Sequence, residues 1–180
     1  PRAVERISGK ENAWCVTVLG KYACRLDPLR SHVVLHNPSD CGNVGTILRT
    51  ALGFGVEDVA LIRPCVDLFD PRVVRASMGS MFSLRLRVYD DFARYRADYP
   101  AHALYPFMLD GSCSLPEALA EPVPERYALV FGNEGSGLPG EFAGMGQPVR
   151  IPSNNRIDSL NLAVAAAIGI YGFTQRHEKE

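Results

Sequence analysis

Residues 127–140 read YALVFGNEGSGLPG, an unbroken apolar run that ends in a loop crowded with glycine. The run YALVFG (127–132) has the length and the aromatic and branched content of a strand buried on both faces. In the loop after it, Gly135, Gly137 and Gly140 satisfy G-x-G-x-x-G, and Asp158 follows roughly twenty residues on, which superficially matches a dinucleotide-binding fingerprint. That fingerprint requires a helix opening at its glycines after an early strand. Here Pro139 and further glycines follow a strand that is nearly the last. The loop also lacks the lysine of a P-loop. A glycine-rich loop at the carboxyl end of a strand still suits a small ligand in an open α/β sheet, whereas a plain turn leaves Asn133 and Glu134 unexplained.

Upstream, strand and helix patterns alternate. SHVVLH (31–36) reads as a strand, 42–54 as a helix, and DVALI (58–62) as the next strand. Asp70 followed by Pro71 starts a helix. LRLRVY (84–89) is a strand with one wet face, and a short helix spans 91–97. ALYPFML (103–109) is strand-like, with Pro106 pushing it toward an edge or a bulge. Ser114, Pro116 and Glu117 open another helical turn, VRI (149–151) is a short strand, and 158–176 reads as the longest helix. This order predicts an α/β fold with a mainly parallel sheet covered by helices on both faces. Residues 1–30 fit the alternation poorly. WCVTVL (14–19) has strand character, and the rest reads as a lead-in or the remnant of a linker or extra domain, so the main domain is expected over 31–177.

Composition excludes several classes. The chain has 180 residues, 47% of them apolar and 22% charged, as expected of one globular domain and not of a disordered chain. The stretch 159–173 is interrupted by Asn161 and followed by a charged tail, so no membrane span is expected. Nothing at the start has the order of an export signal. Five scattered cysteines without a CxxC pair argue against a disulfide framework and a zinc cage, and they fit a reducing cytoplasm. Four histidines form no ligand cluster at a familiar spacing, so no metal is predicted. Net charge is −1, yet residues 1–49 and 63–96 each carry seven basic and four acidic side chains, while 110–144 hold six acids against Arg126. Arginine outnumbers lysine sixteen to three, which permits a phosphate-bearing partner and equally reflects codon bias.

Two further segments carry candidate chemistry. In NPSDCGNVGTILRTALGFG (37–55), Val44, Ile47, Leu48 and Ala51 form the core-facing stripe of a helix, and Gly42, Gly45, Arg49 and Gly53 form a second stripe. Glycine within a helix costs roughly 1 kcal/mol relative to alanine, so this face implies close approach of a backbone or a ligand, with Arg49 projecting from it. A solvated arginine on an outward face is the plainer reading. In IPSNNRIDSLNLAVAAAIGIYGF (151–173), Asp158 or Ser159 is placed to cap a helix, and Ser159 and Asn161 have its free amides within reach. The many alanines and glycines beyond them suit a helix in the core or at an interface.

Together, N-x(5)-N-x-G-x-I-x-R-x-A (37–51), FGNEGSGL (131–138) and IPSNNRIDSLNLAVAAAI (151–168), with the linking segment VVRASMGSMFSL (73–84), resemble the signature motifs of the SpoU/TrmH branch of the SPOUT RNA methyltransferases. The resemblance spans roughly 31–177. It implies a C-terminal deep trefoil knot, a rare exception to the rule against knots. It also implies a bent S-adenosylmethionine held near Leu109, Gly132, Ile151 and Leu160. A homodimer with the target ribose of tRNA or rRNA near the subunit interface follows from the same resemblance. The positions matching reactive residues are Asn43, Arg49, Glu134, Ser159 and Asn161.

Methyl transfer to a ribose 2′-hydroxyl makes the attacking oxygen more anionic, so a fixed cation beside it favours the transition state. Arg49 suits that role. As a base it would first lose its own proton, at a cost of at least roughly 7 kcal/mol at neutral pH. Ser159 and Asn161 are expected to position the ribose or the motif loop, and Glu134 to hold Arg49 or neighbouring amides. Two rivals remain at this point: an NAD-dependent oxidoreductase, from the glycine pattern, and a non-catalytic RNA-binding dimer of the same fold.

Overall fold

The computed structural model describes residues 20–154 and 156–175, so the strand expected at 14–19 lies outside the described residues. Five parallel strands form the main sheet: β1 (His32–His36), β2 (Asp58–Ile62), β3 (Arg85–Tyr89), β4 (Ala103–Pro106) and β6 (Tyr127–Phe131), in the order β3-β2-β1-β6-β4. A short parallel pair, β5 (Cys113–Ser114) with β7 (Val149–Arg150), stands apart. The helices are α1 (Cys41–Gly53), α2 (Pro71–Ala76), α3 (Phe92–Asp98), α4 (Leu115–Ala120) and α5 (Leu162–Thr174).

The register explains why the central strands are apolar throughout. Val33 lies opposite Val59 and Leu129, and Leu35 opposite Leu61 and Phe131, and all six point into one core. That core is completed by Val44, Ile47, Leu48 and Ala51 of α1, Val73 of α2, and Ile170 and Phe173 of α5. The alternate residues Val34, Ala60, Ile62, Ala128 and Val130 enter a second core on the other face, against Tyr95 of α3, Tyr99 and Phe142. A strand with both faces buried has no polar alternation to show. Pro106 ends β4 at the sheet edge, where a missing amide proton removes no ladder bond on the open side.

The described part of the lead-in is stitched to the sheet. Cys24 N donates to Leu86 O, and Leu26 is buried. Asp58, wholly buried at the start of β2, accepts from Asp27 N at 2.8 Å and takes a two-pronged bond from Arg85 at 2.6 and 2.7 Å. Two histidines hold the same stretch. His32 sits 2.8 Å from Asp27 O through Nε2 and 2.9 Å from the Tyr95 hydroxyl through Nδ1, and His102 Nε2 donates to Arg30 O at 2.8 Å. Burial is the main influence on His32, and it brings the pKa down to about 4.

Helix boundaries follow capping chemistry. Asp40 caps α1 through the Asn43 amide, Asp70 caps α2 ahead of Pro71, and Ser114 with Glu117 forms a capping box on α4. The last helix differs from the sequence expectation. It begins at Leu162, not at 158, because the Asn161 side chain takes the Ala163 and Val164 amides and the chain before it is irregular. Asp158 and Ser159 therefore do not cap it, and at 13 residues it equals α1 in length.

One glycine of the α1 stripe has a packing reason. A Cβ on Gly45 would lie 2.4 Å from Ala76 Cβ and 2.8 Å from Ser77 N, so the neighbour it admits is the end of α2 in the same chain. A Cβ on Gly53 would meet nothing within 4 Å beyond its own helix. Gly45→Ala is expected to destabilise the fold by about 1–3 kcal/mol through overpacking. Gly53→Ala should leave stability unchanged or raise it by up to ~1 kcal/mol. Urea denaturation of both variants measures this, and a Gly45→Ala midpoint equal to wild type would refute the packing described.

Candidate functional site

The sheet changes direction between β1 and β6, the crevice at which open α/β sheets receive ligands. Loop 37–40 leaves β1 there and loop 132–138 leaves β6. Glu134 joins them. Its Oε2 accepts from Ser39 N at 3.0 Å and Ser39 Oγ at 2.7 Å, and its Oε1 from Asp40 N at 3.1 Å and Asn43 Nδ2 at 3.3 Å. Partial burial acts to raise the Glu134 pKa, but the bonds from the Ser39 side chain and the Ser39 and Asp40 amides outweigh it and bring it down to about 2. A carboxylate so occupied is a poor base. It is a clamp on the start of α1.

The clamp fixes amide orientations further along. An ionised carboxylate only accepts, so Asn43 must turn Nδ2 toward Glu134 and Oδ1 away. Asn161 Nδ2 donates to that Oδ1 at 3.0 Å, which leaves Asn161 Oδ1 for the first amides of α5. One chain of bonds thus ties together residues 91 and 118 positions apart in sequence. Asn133 does comparable work within its loop. Its Oδ1 accepts from Gly135 N and Ser136 N, and its Nδ2 donates to Asn37 O at 2.9 Å.

The loop after β6 closes as a tight turn, with Asn133 and Gly137 exchanging backbone bonds and Gly137 at φ 67°. Only the short 3-10 turn Gly140–Gly144 follows in sequence, so the glycines do not open an α-helix as the dinucleotide-binding fingerprint requires. Gly132 is obligatory for this turn, since a Cβ there would lie 2.2 Å from the Gly137 carbonyl carbon.

Beside the turn lies a half-open cavity of about 570 Å³. Its walls are 107–110 after β4, 131–138 after β6, 149–151 with Ser153, and 157–160 with Leu162 and Ala165. Leu109, Gly132, Ile151 and Leu160 all line it, as do Glu134 and Ser159. The volume falls within the range of roughly 300–1,000 Å³ usual for small-molecule sites. Three carboxylates, Asp110, Glu134 and Asp158, face one arginine, Arg150, around it, so the lining favours a ligand that carries positive charge.

Asn43 and Asn161 join the site through the hydrogen-bond chain. Arg49 does not. It is exposed on α1, outside the cavity lining, and among the described residues it has no hydrogen-bond or ion-pair partner. Glu134 accordingly holds amides, not Arg49. Sequence reasoning missed Ser39, whose amide and hydroxyl both reach Glu134; no local pattern marks a residue that acts through a partner 95 positions away. Among the described residues, no group of three histidine, cysteine, aspartate or glutamate side chains is arranged to hold a metal, and no helix is long and apolar enough to cross a membrane.

The model of the SpoU rRNA Methylase family matches residues 30–171. A 23S rRNA (adenosine(1067)-2′-O)-methyltransferase from Streptomyces laurentii is 34% identical over 149 residues, covering 81% of this chain and 54% of that protein. The chain spans about half the length of the curated relatives it matches. Among solved structures, one described as giving insight into the 2-OH methylation of C/U34 on tRNA superposes with a TM-score of 0.76 at 30% identity, covering 86% of this chain and all of that one. An AdoMet-bound rRNA methyltransferase from Sinorhizobium meliloti also gives 0.76, at 28% identity over 99% of this chain and 70% of its own.

The charge on Glu134 organises both loops, so Glu134→Gln should lower stability at neutral pH by about 1 kcal/mol after discounting for its exposure. A depressed carboxylate pKa contributes stability that is full above the unfolded value and is lost as pH falls. The gap between wild type and variant should therefore narrow from pH 4.5 down toward about 2. Denaturant midpoints across that window report it, and a pH-independent gap would contradict the clamp.

Proposed function

The chain belongs to the SpoU rRNA methylase family, and from that premise we propose that it transfers the methyl group of S-adenosylmethionine to a ribose 2′-hydroxyl of tRNA or rRNA. The observation that carries this reading is the cavity, in which segments far apart in sequence converge beside the Glu134–Asn43–Asn161 chain. Leu109, Gly132, Ile151 and Leu160 would hold the cofactor, with the carboxylate-rich rim complementing its sulfonium. The bound cofactor supplies an electrophilic methyl. Ser159, at the cavity wall, is placed to orient the ribose, and Asn43 and Asn161 keep the surrounding loops in register.

The knot implied by the motifs draws support from the way residues 145–151 run against the β4 segment. Gln147 N donates to Leu104 O, Met108 N to Val149 O, and Phe107 bridges to Val149. α5 then packs back on the core beside α1. A tail threaded in this manner would build the cavity from both sides.

Arg49 needs a second copy of the chain. Lying outside its own cavity, it meets a substrate oxygen only if a partner presents a cavity to it. The outward face of α5 supports such a homodimer: Val164 and Tyr171 are 47% and 54% exposed, Phe54 of the α1 end lies 5.5 Å from the Tyr171 ring, and residues 162–174 carry no charge. A two-fold interface across that face is self-complementary and would carry both arginines to opposite sites. With its proton retained, Arg49 would stabilise the developing oxyanion electrostatically as the methyl–sulfur bond breaks, leaving a neutral thioether, and the hydroxyl proton passes to water.

The test is tritium transfer from labelled S-adenosylmethionine into total RNA from cells lacking the protein, with calorimetry of cofactor binding. Wild type should bind S-adenosylmethionine and not NADH. Arg49→Ala should lower transfer by about 10²–10³-fold while cofactor affinity stays near wild type. Undiminished transfer by Arg49→Ala would remove the arginine from the reaction, and a preference for NADH would remove the methyltransferase reading altogether.

A further inference from the structure

The α1 face that carries Arg49 is bare along its length: Gly42, Thr46, Arg49 and Gly53 are all exposed. Two ridges border it. On one side lies α5, uncharged, with Val164 and Tyr171 turned outward. The other ridge is of different chemistry. Gly45, one turn before Arg49, touches Val73, Ala76 and Ser77, and the chain then continues through the 3-10 turn Ser80–Ser83, which also packs on α1. This ridge presents Met78 at 73% exposure and Phe82 at 52%, beside the exposed Arg75.

The ridge is built to hold those side chains out. Met78 adopts φ 50°, a left-handed conformation that methionine rarely occupies, and Gly79 follows at φ 88°. Ser77 Oγ donates to Val74 O, Ser80 Oγ donates to Ser77 O, and both serines are buried, so the turn is pinned from beneath. Within the 3-10 turn, the Met81 side chain is driven into the core. Arginine predominates between the bordering acids Asp40, Glu57, Asp70 and Asp90. Residues 71–89 contain four arginines and no acid, and residues 41–56 contain Arg49 and no acid. Arg85 is engaged by Asp58 and Glu57, and Arg72 by Asp70, but Arg49 and Arg75 have no hydrogen-bond or ion-pair partner among the described residues.

Unpaired guanidinium groups interleaved with an exposed ring and a thioether match what single-stranded nucleic acid offers, phosphate oxygens alternating with flat base faces. We propose that the Arg75–Met78–Phe82 ridge is an RNA-contacting surface, with Phe82 and Met78 stacking on unpaired bases and Arg75 meeting the adjoining phosphate. This rests on the RNA reading above and extends it from the reacting ribose to the nucleotides flanking it. The uncharged α5 ridge is left to the second copy of the chain, because it offers phosphate nothing.

The experiment uses the full chain and a fluorescein-labelled oligouridylate, followed by anisotropy over a range of salt concentrations. Phe82→Ala is expected to weaken binding by at least about fivefold, and Met78→Ala by less, as loss of one stacked base implies. The slope of log affinity against log salt should stay unchanged in Phe82→Ala and flatten by about 0.7 in Arg75→Gln, the signature of one released counterion on a single strand. Three results would overturn the proposal: no binding of the probe by wild type, equal binding by wild type and Phe82→Ala, or a changed oligomeric state of Phe82→Ala by light scattering. The last would give this ridge to the second copy. Cofactor binding by calorimetry is read separately. Its loss in wild type would sink the methyl-transfer reading whatever the anisotropy shows, and its retention with anisotropy unaffected by Phe82→Ala would sink only this surface.

Discussion

A single carboxylate with its acceptor positions taken up sets the geometry of the site. Glu134 stands where the sheet changes direction, and the donors it gathers come from loop 37–40, the start of α1 and its own loop. Because the group is ionised and only accepts, its effect reaches past its immediate neighbours. It dictates how Asn43 is turned, hence how Asn161 is turned, hence where α5 begins. The cavity wall formed by residues 157–160 is the stretch left irregular when the helix starts late.

That dependence explains which features could be read from the sequence. Buried parallel strands declare themselves as short apolar runs, and Asp70 and Ser114 announce their helices by local capping, so both element order and the covering of both sheet faces were legible. Pro106 pointed to an edge because proline lacks a ladder proton. The start of α5 was misjudged because Asp158, Ser159 and Asn161 are all competent caps and only the bond from Asn161 to Asn43, which sequence does not display, selects among them. The glycines of α1 were legible as a cost without a return. The return at Gly45 is the backbone of α2, a contact that depends on the packed fold.

The site residues divide along the same line. Leu109, Gly132, Ile151, Leu160, Glu134 and Ser159 line one cavity, whereas Arg49 stands apart on an open face. Placement of Arg49 on α1 beside an uncharged helix on one flank and a basic, aromatic ridge on the other turns an apparent misfit into an architectural statement. On the proposed reading, the reactive cation and the methyl donor would be supplied by different copies, and the ridge would draw the substrate to the cation. Cofactor affinity and RNA affinity would then reside on separate surfaces, free to vary independently.

The central claim is that this chain methylates a ribose 2′-hydroxyl. Mapping of 2′-O-methylation across total RNA from cells with the protein, without it, and with it restored tests that most directly. The account predicts at least one ribose whose methyl group disappears with the protein and returns when it is restored. An unchanged methylation map across the three samples would contradict it.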